Sequence, residues 1–308
     1  MRPSLPSRVS IVEVGPRDGL QNERAVIPPE VKATFIGRLA DAGLHLIEAG
    51  AFVSPRWVPQ MADTAEVIER LPRRPGVRLS ALVPNLKGME RALAAGVQEI
   101  AIFAAASETF SHKNLNQGID ASLAAYAELC ARAIDKGLRV RGYLSTAFGC
   151  PYEGPVAVER VLDVTERLLD MGAVEVSVSD TIGVAHPGQV HHVLDRLLAR
   201  LPRSQVALHF HDTRGTALAN VLAALEHDIT TFDASAGGLG GCPYAPGATG
   251  NLATEDLLYV LDGLRVETGV NLAALVEASA FIEPYVGHRL PSRYYRAIKA
   301  TATRSQNV

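Results

Sequence analysis

Cysteine is scarce in this chain. Cys130, Cys150 and Cys242 are the only three in 308 residues, too few and too far apart for a disulfide framework or a zinc ribbon. Reduced thiols in a cytoplasmic enzyme are the simpler reading. Long apolar runs are missing too, and none approaches the roughly 18 residues of a membrane span. The segment Met1–Ser10 carries neither an apolar signal core nor an arginine-rich amphipathic presequence. Neither sign of charge is in excess: the net value is −3, which implies no general affinity for nucleic acid or an anionic membrane. Only five of the 30 basic residues are lysine, a skew that points to no function. Two further absences bear on the fold. No Gly-x-Gly-x-x-Gly follows the first β-like run, which weakens a dinucleotide-binding open sheet. No Pro- or Ser-rich linker divides the chain, so 1–308 reads as one domain.

What is present is alternation. At 47% hydrophobic and 20% charged the composition is that of a globular protein. Short β-branched runs fall at Val9–Val14, Leu44–Glu48, Val77–Leu82, Glu99–Phe103, Val140–Thr146, Val174–Ser179, Gln205–Phe210 and Thr231–Ala234. Helical patterns separate them at Pro29–Ala42, Ala62–Leu71, Lys87–Ala95, Ala121–Lys136, Val156–Met171, Pro187–Ala199 and Thr216–Glu226, with Ala253–Glu267 after the last run. Several patterns stop at a glycine (Gly43, Gly96, Gly137, Gly172), the favoured residue just past a helix end. Eight strand–helix repeats in this length predict an α/β fold of the (β/α)8 TIM-barrel type. The barrel spans about 8–268, with a C-terminal helical extension over about 270–300 and a disordered end from about Thr301.

A barrel of this kind places its chemistry at the carboxyl ends of the strands. Gly15-Pro-Arg17-Asp18-Gly19 follows the first strand, Glu48 ends the second, Asp180 follows the sixth, and His209-Phe-His211-Asp212 closes the seventh. After the eighth comes Gly237-Gly-Leu-Gly-Gly-Cys242-Pro-Tyr-Ala-Pro-Gly-Ala-Thr-Gly-Asn251. Its glycines and prolines can continue neither a helix nor a central strand, and long loops in compact domains are usually lids or binding loops. A thiol on such a loop is a group carried to a reaction, although an incidental cysteine on a surface loop is an even alternative.

Two residues apart on a strand end, His209 and His211 point to one side. With Asp18 and Asn251 they form a nitrogen and oxygen set without thiolate, which suits a hard divalent ion such as Mg²⁺ or Mn²⁺; Zn²⁺, Co²⁺ and Fe²⁺ also fit. Each piece has a bland reading. A His-x-His pair is often structural, Arg17-Asp18 is also a salt-paired turn, and Glu48 and Asp180 are also acids that bond neighbouring backbone amides. His191 and His192 lie about 100° apart on a helix and are poorly placed to share an ion. His45, His112, His186, His227 and His288 have no partner at ligand spacing and read as surface or packing residues.

Four stretches now stand together: Glu13-Val-Gly-Pro-Arg-Asp-Gly-Leu-Gln-Asn-Glu23, Phe52-Val-Ser-Pro-Arg-Trp-Val-Pro-Gln-Met61, His209-Phe-His-Asp-Thr-Arg-Gly-Thr-Ala-Leu-Ala-Asn220 and Gly238 to Asp256. In that order, from about Val9 to Tyr285, they resemble the 3-hydroxy-3-methylglutaryl-CoA lyase family. A wider group of metal-dependent barrels, isopropylmalate-synthase-like enzymes and transcarboxylases among them, shares the first-strand acid and the histidine pair. The cysteine-bearing glycine loop is the part particular to the lyase. The resemblance implies Asp18, His209, His211 and Asn251 as metal ligands, Arg17 as the catalytic cation and Cys242 as the loop thiol. It implies Glu48 and Asp180 as acids lining the site, and Ser107–Asn114 as a loop that helps hold coenzyme A, with Lys113 and Asn114 as the contacts. Coenzyme A would enter as part of the substrate. The implied partner is a small-molecule acyl-CoA, and the oligomeric state stays open, a homodimer included.

Some positions depart from the pattern. Gly50-Ala51 stands where some relatives carry Thr-Ser, Ser179 where glycine is frequent, and His186 where threonine is usual. No cysteine follows Cys242, so a carboxy-terminal regulatory thiol is absent. The reaction implied is cleavage of 3-hydroxy-3-methylglutaryl-CoA to acetyl-CoA and acetoacetate. Its rivals are the same cleavage of a longer branched 3-hydroxyglutaryl-CoA, for which Gly50 and Ala51 would make room, a Claisen-type condensing enzyme, and a non-catalytic acyl-CoA-binding barrel.

Overall fold

A computed structural model describes residues 5–241 and 250–305. Eight parallel strands close into a barrel in chain order: β1 (Ser10–Glu13), β2 (Leu46–Ala51), β3 (Arg78–Leu82), β4 (Glu99–Ala105), β5 (Arg139–Ser145), β6 (Glu175–Asp180), β7 (Val206–Phe210) and β8 (Thr231–Ala234). β1 closes on β8 with Ser10 opposite Thr231 and Glu13 opposite Ala234. Outside run α1 (Pro29–Asp41), α2 (Thr64–Glu69), α3 (Leu86–Ala95), α4 (Glu108–Leu115), α5 (Ile119–Asp135), α6 (Val158–Asp170), α7 (Pro187–Leu198), α8 (Ala217–Leu225) and α9 (Thr254–Gly263), followed by α10 (Leu272–Val286) and α11 (Arg293–Ser305).

The helices form where apolar residues recur at helical spacing and local caps start and stop them. On α6, Val158, Val161, Leu162, Thr165 and Leu168 are buried, the i, i+3, i+4, i+7 stripe of a helix facing a core. Leu168 is fully buried, so Leu168→Ala should cost about 2–5 kcal/mol. Asn85 caps α3 by accepting the amide of Gly88 at 2.9 Å, and Gly96 ends that helix in the left-handed region.

Three expectations need correction. β2 does not stop at Glu48 but runs on to Ala51, its register against β3 shifting between Glu48 and Gly50. Such a bulge lets a strand continue through residues that read as loop. Ser107–Asn114 is not a loop. The Ser107 side chain accepts the Phe110 amide at 3.2 Å and caps α4, which carries Lys113 and Asn114. The chain is also regular beyond Thr301, since α11 reaches Ser305.

Gly50 does not open the barrel either. A Cβ there would lie 2.6 Å from the Thr64 hydroxyl oxygen, and that hydroxyl is already bonded to the backbone of Ala51 and Met61. The missing side chain is matched by Thr64 of α2, not by space for a substrate.

Candidate active site

At the carboxyl end of β1 the backbone widens into a π-turn, Gly15–Gly19, in which the amides of Arg17 and Gly19 both bond the Val14 carbonyl at 3.1 Å. The turn holds Arg17 and Asp18 side by side over the barrel mouth. It needs glycine at its start, because a Cβ on Gly15 would sit 2.6 Å from the Glu13 carboxylate. That carboxylate braces the turn from below. Glu13 accepts the amides of Gly15 and Ala236 at 2.8 Å each and the Thr254 hydroxyl at 2.7 Å.

Arg17 donates Nε to Glu48 at 2.6 Å and Nη1 to Asp18 at 2.7 Å. Burial works against its charge, but the carboxylates of Glu48 and Asp18 outweigh that and hold it protonated. Burial also opposes ionisation of Asp18, yet Arg17 and then His209 bring it below the usual carboxylate range. In Glu48 burial wins over Arg17 and the carboxyl is raised. Its Oε1 is buried without a hydrogen-bond partner among the described residues. Arg17 and Arg141 lie over the Tyr143 ring, 5.5 and 4.9 Å from its centroid, and the phenol reaches Glu48 at 3.4 Å.

Asp18, His209 and His211 bring one potential ligand atom each to within 4.8 Å of one another. The two imidazoles tilt at 50° with centroids 5.0 Å apart, so the pair does share one side. Asn251 stands in a bridge with His211. Its amide nitrogen bonds Asp18 at 2.9 Å and the Leu239 carbonyl at 3.0 Å, and its Oδ1 is buried without a partner among the described residues. The carboxylate, imidazoles and orphaned amide oxygen suit a divalent cation in donor type and convergence. His209 is raised despite burial by its bond to Asp233, whereas burial and the adjacent His209 push His211 down to about 3, a neutral imidazole able to act as a ligand.

Not every candidate joins this centre. Asp180 gives its two oxygens to the amides of Val184 and Ala185 at 2.9 and 3.0 Å, and burial raises it to about 6 although His209 lies near enough to oppose the rise. Lys113 lies over the Tyr152 ring at 4.9 Å, and Asn114 is exposed on α4. Cys242 lies outside the described residues, and Asn22 reaches Gly241, beside it in the chain, at 3.3 Å. Two histidines read as unpartnered do pair: His227 meets His191 at 2.9 Å, and His288 meets Glu23 at 2.9 Å.

Sequence reasoning missed Glu13, Arg141, Tyr143 and Asp233. Arg141 donates to Glu175 and to Asp233, both at 2.8 Å, and Asp233 accepts Ser177 at 2.7 Å and contacts His209 at 3.2 Å. The available signal was polarity in the wrong place. Aspartate is depleted in strands, yet one lies inside Thr231–Ala234.

A family model described as HMGL-like matches residues 8–282. The chain is 51% identical to the mitochondrial hydroxymethylglutaryl-CoA lyase of Bos taurus, covering 96% of this chain and 90% of that one. It superposes on the hydroxymethylglutaryl-CoA lyase of Pseudomonas aeruginosa with a TM-score of 0.95 at 50% identity, covering 96% and 99% of the two chains. For an Acinetobacter baumannii HMG-CoA lyase in complex with coenzyme A and 3-methylmalate the TM-score is 0.90 at 38% identity, covering 94% and 95%.

Proposed function

The chain belongs to the HMGL-like family, and on that premise we propose that it cleaves 3-hydroxy-3-methylglutaryl-CoA to acetyl-CoA and acetoacetate. It is a carbon–carbon lyase. The observation that carries the reading is the convergence of Asp18, His209 and His211 beside a buried guanidinium held by two carboxylates. Cleavage needs a proton removed from the tertiary hydroxyl, an oxyanion stabilised as the carbon–carbon bond breaks, and a proton returned to the acetyl-CoA enolate.

Asp18, His209, His211 and Asn251 would hold a divalent cation, Mg²⁺ or Mn²⁺ by a set of two nitrogens and two oxygens without thiolate. Such an ion supplies Lewis acidity that orients a hydroxyl and a carboxylate and makes the hydroxyl easier to deprotonate. Glu48 suits the base: it is buried, its carboxyl is raised, and its Oε1 lacks a partner among the described residues. Arg17 uses Nε and Nη1 on its two acids, which fixes the guanidinium with Nη2 left to face the growing enolate oxygen. Cys242, on the glycine loop, returns the proton to carbon. Lys113 and Asn114 take the coenzyme A end of the substrate from the outer surface of α4. The close fit of Thr64 against Gly50 removes the reason for a longer acyl chain.

Among the described residues no helix is long and apolar enough to cross a membrane. Cys130 and Cys150 are free and buried, which supports the cytoplasm as the compartment. The decisive experiment is acetoacetate release from a short panel of acyl-CoA substrates. Release from the methylglutaryl thioester, and not from longer analogues, is the expected result. Condensation of acetyl-CoA with a 2-oxo acid, or binding without turnover, would overturn the reading.

A further inference from the structure

The two imidazoles at the barrel mouth are not equivalent. His209 Nδ1 lies 3.2 Å from Asp233 Oδ2, whereas His211 Nδ1 is buried without a hydrogen-bond partner among the described residues. His209 and Asp233 are direct neighbours in the β7–β8 register, so both side chains enter the same layer of the barrel. The carboxylate cannot swing away. Its Oδ1 is held by Arg141 Nη2 at 2.8 Å and its Oδ2 by the Ser177 hydroxyl at 2.7 Å, and Arg141 is tied through Nε to Glu175 at 2.8 Å.

An ionised carboxylate only accepts hydrogen bonds. The contact therefore puts the proton of a neutral His209 on Nδ1 and leaves the lone pair on Nε2, the nitrogen free for the cluster with Asp18 and His211. We propose that Asp233 is the positioning residue that sets the tautomer and ring angle of His209, and through them the affinity of the ion site. The proposal rests on the reading of Asp18, His209 and His211 as that site. Asp233 is not among the converging donors Asp18, His209 and His211 and acts only through the imidazole. Outer carboxylates on metal-bound histidines typically change metal affinity 10- to 100-fold. The competing role is structural: Asp233 would serve only to neutralise Arg141.

The test uses the full-length protein stripped of metal. Long-range ¹⁵N–¹H spectra at pH 8 report which nitrogen of neutral His209 carries the proton, and Mn²⁺ titration followed by electron paramagnetic resonance gives the dissociation constant. Asp233→Asn is compared with the double variant D233N/R141M, which removes the buried cation together with its partner and so leaves no stranded guanidinium. Expected are a wild-type proton on Nδ1 and Mn²⁺ binding 10- to 100-fold weaker in both variants. A wild-type proton on Nε2 overturns the proposal. So does a folded double variant that binds Mn²⁺ within about threefold of wild type, the span a purely structural role would leave against the 10-fold floor. If the wild type itself binds no Mn²⁺, the ion-site reading has failed, and the tautomer measurement alone decides the role of Asp233. The same measurement decides it if neither variant folds.

Discussion

Replacing Arg17 by glutamine should separate two losses that share one side chain. Arg17 is 7% exposed, and its guanidinium is bonded to Glu48 at 2.6 Å and Asp18 at 2.7 Å. Removing it strands the buried Glu48 and leaves the partly exposed Asp18 without its cation, and breaking a buried pair from one side costs about 3–5 kcal/mol of stability. Catalysis suffers differently. The enolate charge that Arg17 faces exists only once the carbon–carbon bond begins to break, so the loss falls on kcat and not on KM. One preorganised oxyanion donor is worth about 10²- to 10³-fold, or roughly 2.7–4 kcal/mol. Urea unfolding reports the first loss as a lowered midpoint with unchanged slope. Steady-state acetoacetate release, normalised to folded protein, reports the second. Arg17→Lys sharpens the comparison, since it keeps a cation but loses the planar fork that reaches both acids at once. It should recover part of the stability while kcat stays depressed. A glutamine variant with near-normal kcat and a greatly raised KM would make Arg17 a substrate-binding residue and refute the electrostatic role.

Cys242→Ser should bind metal normally and lose roughly 10²- to 10⁴-fold in kcat, the span of one acid–base group; turnover near the wild-type rate would leave the thiol without a chemical role. Iodoacetamide should label Cys242 in native protein before Cys130 and Cys150, which are buried, burial also pushing the Cys130 thiol up to about 11. A bound substrate analogue should protect it, and faster labelling at either buried site would contradict the picture. Exhaustive chelation should abolish turnover and Mg²⁺ or Mn²⁺ should restore it, whereas full activity in stripped protein would rule out the ion site. Burial raises Glu255 from 4.5 to about 7 against its bonds from Ser279 and Gly237. Its contribution is therefore present below the ordinary value and lost as pH rises through about 7. Wild type should be less stable to urea at pH 8 than at pH 5, by at most about 3 kcal/mol from this group, and Glu255→Gln should flatten that difference. Equal pH dependence in the two proteins would remove Glu255 as the cause.

The barrel was legible in the sequence because strand and helix periods alternate with little ambiguity, and helix-ending glycines such as Gly96 and Gly137 mark the turns between them. What failed was local chemistry that depends on a partner far along the chain. Gly50-Ala51 reads as the start of a loop until β3 is seen to pair with it across a shifted register. α4 was hidden by the polarity of Ser-Glu-Thr-Phe-Ser-His-Lys-Asn, although a serine followed by an acid is a helix-start signal. Asp18 and the histidine pair stand out in the sequence as polar residues at or just past strand ends, and Asn251 as the amide that closes the glycine loop. Asp233 and Arg141 are polar residues inside strands, and only the neighbouring strands show what they hold.

Those interior charges also bear on the kind of ion the mouth would accept. Glu48 and Asp18 flank Arg17, while Glu175 and Asp233 flank Arg141. Two guanidiniums thus face four acids along one network, and both lie against the Tyr143 ring. With all four acids ionised and the imidazoles neutral, this network would be short of two positive charges, and an uncompensated buried charge costs several kcal/mol. A monovalent ion would leave half of that deficit, and a divalent ion removes it. Burial raises the Glu48 carboxyl, with Arg17 opposing and the neighbouring Asp18 adding to the rise. Arg17, which touches both Asp18 and Glu48, links the proposed ion site to the proposed base.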